Sequence, residues 1–357
     1  MYQLLEISLA VLLEKLILIL IVISVSLVVA MYSTYMERKV AAAIQDRPGP
    51  NRAGPFGILQ PLADGGKLFF KEEIVPNFSS KALFILGPLL AMLTALMTSA
   101  VIPWGDKLVL PGGRLVNLQI ADVNIGILYV FGVVSMGVYG IMIGSWASNN
   151  KYSLMGGLRA ASQIISYELA MGLSLIALLF ITGSLSLKEI VVQQQQGGAG
   201  GLLGWNIFKQ PLGFLIFLVC AFAECNRTPF DLPESENELI GGYHTEYSSM
   251  KLGFYLFAEY INMFISSLIM STLFFGGYDM PFVNEANLSP NIAALVGILA
   301  LMAKAIFFIF LFMWVRWTIP RFRYDQLMRL GWKILIPLAL FNMIVTGAVV
   351  LFLNQSA

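Results

Sequence analysis

Charge is scarce in this sequence. Asp, Glu, Lys and Arg make up 12% of its 357 residues, and they balance to a net charge of +1. A phosphate-binding surface needs a clustered basic excess, so nucleic acid is excluded as a partner. Histidine occurs once, as His244, and cysteine twice, as Cys220 and Cys225, with no CxxC spacing. Neither a zinc nor an iron-sulfur site can be built from these three alone, and a disulfide framework is equally unsupported. No pattern for binding NADH or flavin is present, so no cofactor is expected on this chain by itself. A fixed-period internal repeat is missing too, which weakens an inverted-repeat transporter reading.

Apolar residues are abundant instead, at 58%. Several runs reach the length that a hydrocarbon layer of about 30 Å requires, which reads as an all-α polytopic membrane protein and not a soluble enzyme. Helix is the expected state of each run, because lipid offers backbone groups no other partner. Eight spans are predicted, near 10–36, 82–103, 119–146, 158–183, 211–225, 252–276, 291–315 and 333–353, forming one integral membrane domain over 1–357. The first is uncharged from Leu16 to Met36, longer than a signal-peptide core and without a basic leader, so it reads as a retained span. The fifth is short and starts at Pro211, which suits a first helical turn.

Orientation follows from Lys and Arg. The connections after spans one, three, five and seven hold sixteen of the 22 basic residues, the opposite side five, and Lys304 lies inside span seven. The odd-numbered connections are therefore expected on the cytoplasmic side and both termini outside. On the outer side, residues 193–201 form a Gln/Gly-rich stretch that reads as a flexible loop with little to bury.

The inner connection between spans five and six is the anomaly. From Glu224 to Tyr247 it gathers six of the 21 acidic residues, and between Asp231 and Glu246 there is no Lys or Arg on a side where positive charge is expected. A short helix is predicted there, capped near Asp231, with Pro233 in its first turn and Gly241-Gly242 after its end. Glu234 and Glu238 would then share a face at i and i+4 with Glu236 beside them, and like charges so placed repel and raise at least one pKa. Such a coupled cluster can exchange protons near neutral pH. A solvated acidic loop is the plainer alternative. Charge near the bilayer centre costs at least about 2.5 kcal/mol, so Glu168, Glu224, Glu259 and Lys304, all inside spans, are expected to face the bundle interior, either as a route for protons or as satisfied interhelical hydrogen bonds. Ser166 and Tyr167 next to Glu168 would extend a hydrogen-bonded chain.

The first inner connection carries Arg47-Pro48-Gly49-Pro50-Asn51-Arg52, a rigid turn. It is followed by a broken amphipathic segment with Leu59, Leu62, Ala63, Phe69 and Phe70, suited to lying in the membrane interface. Asp64 and Lys67, one turn apart, could simply pair at the surface, but Asp64 falls on the apolar side, which suits a carboxylate facing a cavity. Glu37-Arg38-Lys39 closes span one. Lys39 fits a residue snorkelling to headgroups, whereas Glu37 beside Arg38 points to a polar cavity opening inward.

These motifs resemble one family over the whole chain: Glu37-Arg38-Lys39 with Arg47 through Gly54, Gln60-Pro61-Leu62-Ala63-Asp64-Gly65-Gly66-Lys67, Ser166-Tyr167-Glu168, and Ala223-Glu224 through Arg227-Thr228-Pro229-Phe230-Asp231-Leu232-Pro233-Glu234 to Glu246-Tyr247. The sequence is similar to the NADH dehydrogenase subunit 1 family, to which the H subunit of bacterial NADH-quinone oxidoreductase (respiratory complex I) belongs. The resemblance implies a bacterial inner-membrane subunit with eight helices that joins the electron-carrying hydrophilic arm to the membrane arm. It would form the membrane side of a quinone chamber beside the terminal iron-sulfur cluster of a neighbouring subunit, with quinone as substrate and other complex I subunits as partners. By motif, Glu37, Arg38, Arg47, Asp64 and Lys67 would line or shape the chamber. Glu168, Glu224, Asp231, Glu234, Glu236, Glu238, Glu246 and Glu259 would form the acidic path through which quinone reduction is coupled to proton translocation. Two other readings remain open: the membrane anchor of a related membrane-bound hydrogenase complex, which lacks a quinone, and a stand-alone cation/proton antiporter, which leaves the long inner loops unexplained.

Overall fold

A computed structural model of the chain describes residues 9–110, 113–196, 202–234, 236–281 and 289–355. The fold is nearly all helix. In chain order the helices are α1 (Leu9–Ile44), α2 (Gln60–Phe70), α3 (Lys81–Thr98), α4 (Gly126–Ala147), α5 (Lys151–Thr182), α6 (Leu187–Gln196), α7 (Asn206–Lys209), α8 (Pro211–Glu224), α9 (Glu236–Leu239), α10 (Ser249–Phe274), α11 (Pro290–Thr318), α12 (Tyr324–Arg329) and α13 (Ile336–Gln355). A wide π turn, Leu330–Leu335, joins the last two into one rod. The one departure from helix among the described residues is a small antiparallel hairpin between α3 and α4, β1 (Lys107–Val109) with β2 (Leu115–Asn117).

Seven helical rods are long and apolar enough to cross a membrane. They are α1, α3, α4, α5, α10, α11 and the α12–α13 rod. The segment expected as a fifth span forms α8, which has 14 residues and reaches only about 21 Å at 1.5 Å per residue. Ends are set locally. Pro211 and Pro290 occupy first turns, Asn150 Oδ1 caps α5 by accepting from Tyr152 N at 2.9 Å, and Gly183 at φ 64° closes it.

Packing departs from the expected boundaries where side chains demand it. α1 runs eight residues past Met36, so Glu37-Arg38-Lys39 lie within the helix and not at its close. The start of α5 falls at Lys151, seven residues before the expected Leu158, which puts Glu168 about 25 Å along the helix. α10 lies at the centre, packed against α1, α3, α6, α8 and α11, with Ile261, Phe264, Leu268 and Phe274 fully buried. α3 and α4 approach closely because their contact is lined by glycine: a Cβ on Gly87 would lie 2.7 Å from Gly144 Cα. The outer faces of α1, α11 and α13 are apolar and exposed, as lipid-facing helices are.

The Gln-rich stretch is the clearest local correction. It is not a loop up to Gln196: α6 contains it, and Gln194 is fully buried. Its amide donates to Thr272 O at 2.9 Å and its Oε1 accepts from Gly276 N at 3.0 Å and Asn206 N at 3.2 Å, tying α6 to the end of α10. Composition signals low complexity, but a buried amide that satisfies three backbone groups is worth keeping in a helix. Residues 197–201 lie outside the described set.

Candidate functional site

At the end where α1 finishes and α10 begins, a cavity of about 350 Å³ is bounded by α1, α2, α10 and α11. Met31, Leu68, Leu256 and Phe257 give it an apolar side, and Glu37, Arg38 and Asp64 an ionisable one. Asp64 is held by Arg38 Nη1 at 2.6 Å and accepts from Gln60 Nε2 at 3.0 Å, while Lys67 stands 3.8 Å away. The surface pairing expected from spacing is therefore secondary to a contact between helices. A second cavity of about 700 Å³ adjoins it, sharing Arg38 and Trp317, and holds Arg47 and Arg52. Arg38 borders both cavities, Arg47 only the second, and Lys67 touches the first only through Asp64.

Glu37 is the node of this end of the bundle. Its side chain is 7% exposed and lies between two arginines, accepting from Arg227 Nη1 at 3.1 Å and ion-pairing with Arg316 Nη1 at 2.6 Å. Tyr260 donates its hydroxyl to the same carboxylate at 2.8 Å, and the Arg227 guanidinium sits 4.0 Å over the Tyr260 ring. Burial acts to lower the Arg227 pKa, but Tyr260 and the Glu37 and Glu259 carboxylates outweigh it and hold the group charged. Nε and Nη2 of Arg227 are buried without a hydrogen-bond partner among the described residues. The loop after α8 is fixed from α5 by buried Gln163, whose amide donates to Ala223 O at 2.9 Å and Phe230 O at 2.8 Å.

Beyond Arg227 lies a cavity of about 30 Å³, bounded by Glu224, Asn226, Tyr243, Tyr255 and Glu259 among others. That volume admits about one or two waters. Glu259 accepts from the Tyr243 hydroxyl at 2.9 Å, and Glu224 Oε2 is buried without a hydrogen bond. Burial first, then the Glu259 charge, push the Tyr243 phenol well above its ordinary value, so it serves Glu259 as a donor. Tyr255 packs edge-on between Tyr243 and Tyr247 at 5.1 and 5.0 Å. Burial likewise pushes Tyr247 up to about 12.

The acidic connection is not the shared-face cluster expected from sequence. α9 begins only at Glu236, so Pro233 and Glu234 lie in the turn before it. Glu234 faces His244 Nδ1 at 3.8 Å, Glu238 pairs with Arg159 at 2.5 Å, Asp231 with Arg321 at 3.0 Å, and Glu246 accepts from Asn150 at 2.5 Å. Asp231, Glu238 and Glu246 each meet a partner from another element, while Glu234 meets His244 of the same connection, and these contacts relieve the repulsion that spacing alone predicts. The side chain of Glu236 lies outside the described set. Gly242 permits this fold of the loop: at φ 58°, a Cβ there would lie 1.7 Å from Pro233 O.

Deeper in the bundle, Glu168 accepts a short hydrogen bond from Ser135 of α4. Its neighbours do not extend a chain toward it: Tyr167 donates to Leu327 O at 2.9 Å, and Ser166 donates to Ser162 O and accepts from Trp332. Both hydroxyls tether the α12–α13 rod. Lys304 also departs from an ion route. Its ammonium donates to the carbonyls of Phe275, Gly277 and Asp279 at 2.7, 2.8 and 2.6 Å, capping the end of α10.

Sequence reasoning singled out Glu37 but missed what holds it. Arg227 and Arg316 were legible only as inner-side positive charge, and Tyr260 and Gln163 carried no signal beyond being polar residues within spans.

Seven long apolar helices around an ion-paired, partly hollow interior define a polytopic helical membrane protein with an ionisable core. The chain belongs to the NADH dehydrogenase family, whose model matches residues 16–347. It is 65% identical over 346 residues to a Cytophaga hutchinsonii protein named as an H subunit of NADH-quinone oxidoreductase, covering 97% of this chain and 99% of that one. To the NADH-quinone oxidoreductase H subunit of Flavobacterium johnsoniae it is 65% identical over 344 residues, 96% of each chain, and to that of Thermomicrobium roseum 50% identical over 332 residues, 92% and 94%.

Proposed function

We propose that this chain is the H subunit of a bacterial NADH-quinone oxidoreductase, complex I, forming the membrane side of its quinone chamber and passing the consequence of quinone reduction into the membrane. One observation carries the proposal. The 350 Å³ cavity is apolar on one side and ionisable on the other, and its most buried carboxylate, Glu37, binds Arg227, whose chain neighbour Asn226 lines the pocket of Glu224 and Glu259. An isoprenoid quinone has an apolar tail and a head that takes up protons on reduction, which matches that division. The redox centres then belong to neighbouring subunits of the hydrophilic arm, with other membrane-arm subunits alongside.

In this reading α8 completes a set of eight spans, with the acidic connection on the cytoplasmic side and both termini on the periplasmic side of the inner membrane. Arg47 and Lys67 shape the approach to the chamber. The acids Asp231, Glu234, Glu236, Glu238 and Glu246 set the charge balance around Arg227, and Glu224, Glu259 and Glu168 carry the response inward. A change of charge on quinone shifts the Glu37–Arg227 contact, and Glu259, fixed by Tyr243, takes up or releases a proton in response. The test is Glu259→Gln in the assembled enzyme, reconstituted in liposomes with a pH-sensitive dye. Proton translocation per electron should fall, alone or together with quinone reductase activity. An unchanged rate and an unchanged proton/electron ratio would overturn the coupling role.

A further inference from the structure

A further cavity lies between α1 and α3, with Phe254 of α10 at its base, and none of the ionised groups discussed above lines it. It has a volume of about 460 Å³ and runs along α3 from Leu89 to Ala100, against Ile19 and Ile23 of α1, with Ile120 closing its outer end. Eleven helical steps give it a length of about 16 Å, close to half of a roughly 30 Å hydrocarbon layer. It follows the outer half of α3 and meets α1 in its outer half, which in the stated orientation sets it in the outer leaflet.

The lining decides what it can hold. Only Ser99 and Tyr129 bring polar side chains to it, and both are engaged: Ser99 donates to Leu96 O at 2.6 Å and Tyr129 to Met97 O at 3.2 Å. The cavity therefore offers hydrocarbon contact and no free donor for a polar head, in contrast to the Glu37 cavity. A charge waits just outside its mouth. Lys15 lies one helical turn from Ile19 and donates to the backbone O of Gln119, next to Ile120, at 2.8 Å. No carboxylate pairs with Lys15 among the described residues; the adjacent Glu14 is taken by Arg114 at 2.7 Å. A long apolar slot with a half-buried ammonium at its headgroup end, ion-paired to no carboxylate among the described residues, is complementary to an anionic amphiphile.

We propose that this groove is a structural phospholipid site, one acyl chain lying between α1 and α3 and the phosphate at Lys15. The proposal rests only on the chain crossing the membrane in the stated orientation and not on the quinone reading. A lipid seated there fills the gap between α1 and α3 and so holds α1, whose other end lines the Glu37 cavity, against the bundle.

The test is photolabelling of the assembled complex in native membranes with two probes, an anionic phospholipid carrying an acyl-chain diazirine and an uncharged fatty alcohol carrying the same group, followed by peptide mass spectrometry. The phospholipid should label the α3 face around Met92 and Leu96. Leu96→Trp, which narrows the groove at its middle, should weaken labelling by both probes. Lys15→Gln should reduce phospholipid labelling about fivefold, as one basic residue at an anionic headgroup accounts for, and leave labelling by the alcohol unchanged. Quinone reductase activity and assembly of both variants are followed in parallel, so loss of folding is distinguished from loss of lipid. Three results would overturn the proposal: no label on α3 in the wild type, labelling indifferent to Leu96→Trp in assembled enzyme, or cross-links from these positions to a neighbouring subunit in place of lipid.

Discussion

Replacing Glu37 with Gln removes one negative charge from between two arginines. Arg227 is 4% exposed and among the described residues retains no other side-chain carboxylate within ion-pairing distance, whereas Arg316 is 26% exposed and can turn to water. Breaking one side of a buried pair costs about 3–5 kcal/mol. Gln still accepts one hydrogen bond, from Arg227 or from Tyr260, so the lower end of that range, about 3 kcal/mol, is the expected loss. The two cysteines supply the assay, because Cys220 and Cys225 are 0% and 1% exposed and react only when the bundle opens. At 1.4 kcal/mol per factor of ten, about 3 kcal/mol raises the open population roughly 150-fold. Pulsed thiol labelling of the assembled complex, read at the two cysteine peptides, measures it. Arg227→Met alone leaves Glu37 with Arg316 and Tyr260, and combined with Glu37→Gln it should recover about 1–3 kcal/mol as a coupling energy. Wild-type labelling in the single variant, or a cycle additive to within about 0.5 kcal/mol, would refute the account of Glu37 as a buried clamp.

Two further outcomes follow from packing. Gly144→Ala sets a Cβ 2.0 Å from the Tyr255 hydroxyl, and should destabilise by about 1–3 kcal/mol through overpacking at the tyrosine cluster, whereas Gly132→Ala, with nothing within 4 Å, should cost nothing in the same thermal melt. Lys304→Met leaves three carbonyls without their cation and should lower the melting temperature by the equivalent of about 2–3 kcal/mol, with the proton/electron ratio of the surviving enzyme unchanged; a changed ratio would return Lys304 to the ion route.

The acidic connection shows how far spacing can be trusted. Periodicity puts Glu234 and Glu238 on one repelling face, but that repulsion belongs to the segment taken alone, and the segment folds onto Arg159 and Arg321 and brings its own His244 against Glu234. The Gln-rich stretch errs in the same way: low complexity says nothing of Gln194, whose amide finds three backbone partners only after α6, α7 and α10 have met. Lys304 reads as a charge in the membrane until the end of α10 is placed beside it.

Sequence by itself determined that the chain is helical and embedded in lipid, where seven of the eight expected spans broadly run, and which acids stand out, because hydrophobic length and the cost of charge in a bilayer are properties of single segments. The motifs also sufficed to place the chain in its family. Only the tertiary structure decided which charges neutralise one another, that Glu37 is held by Arg227, Arg316 and Tyr260, and where the apolar and ionisable cavities lie. Those features are contacts between residues up to 279 positions apart, from Glu37 to Arg316, and no local pattern encodes a partner that distant.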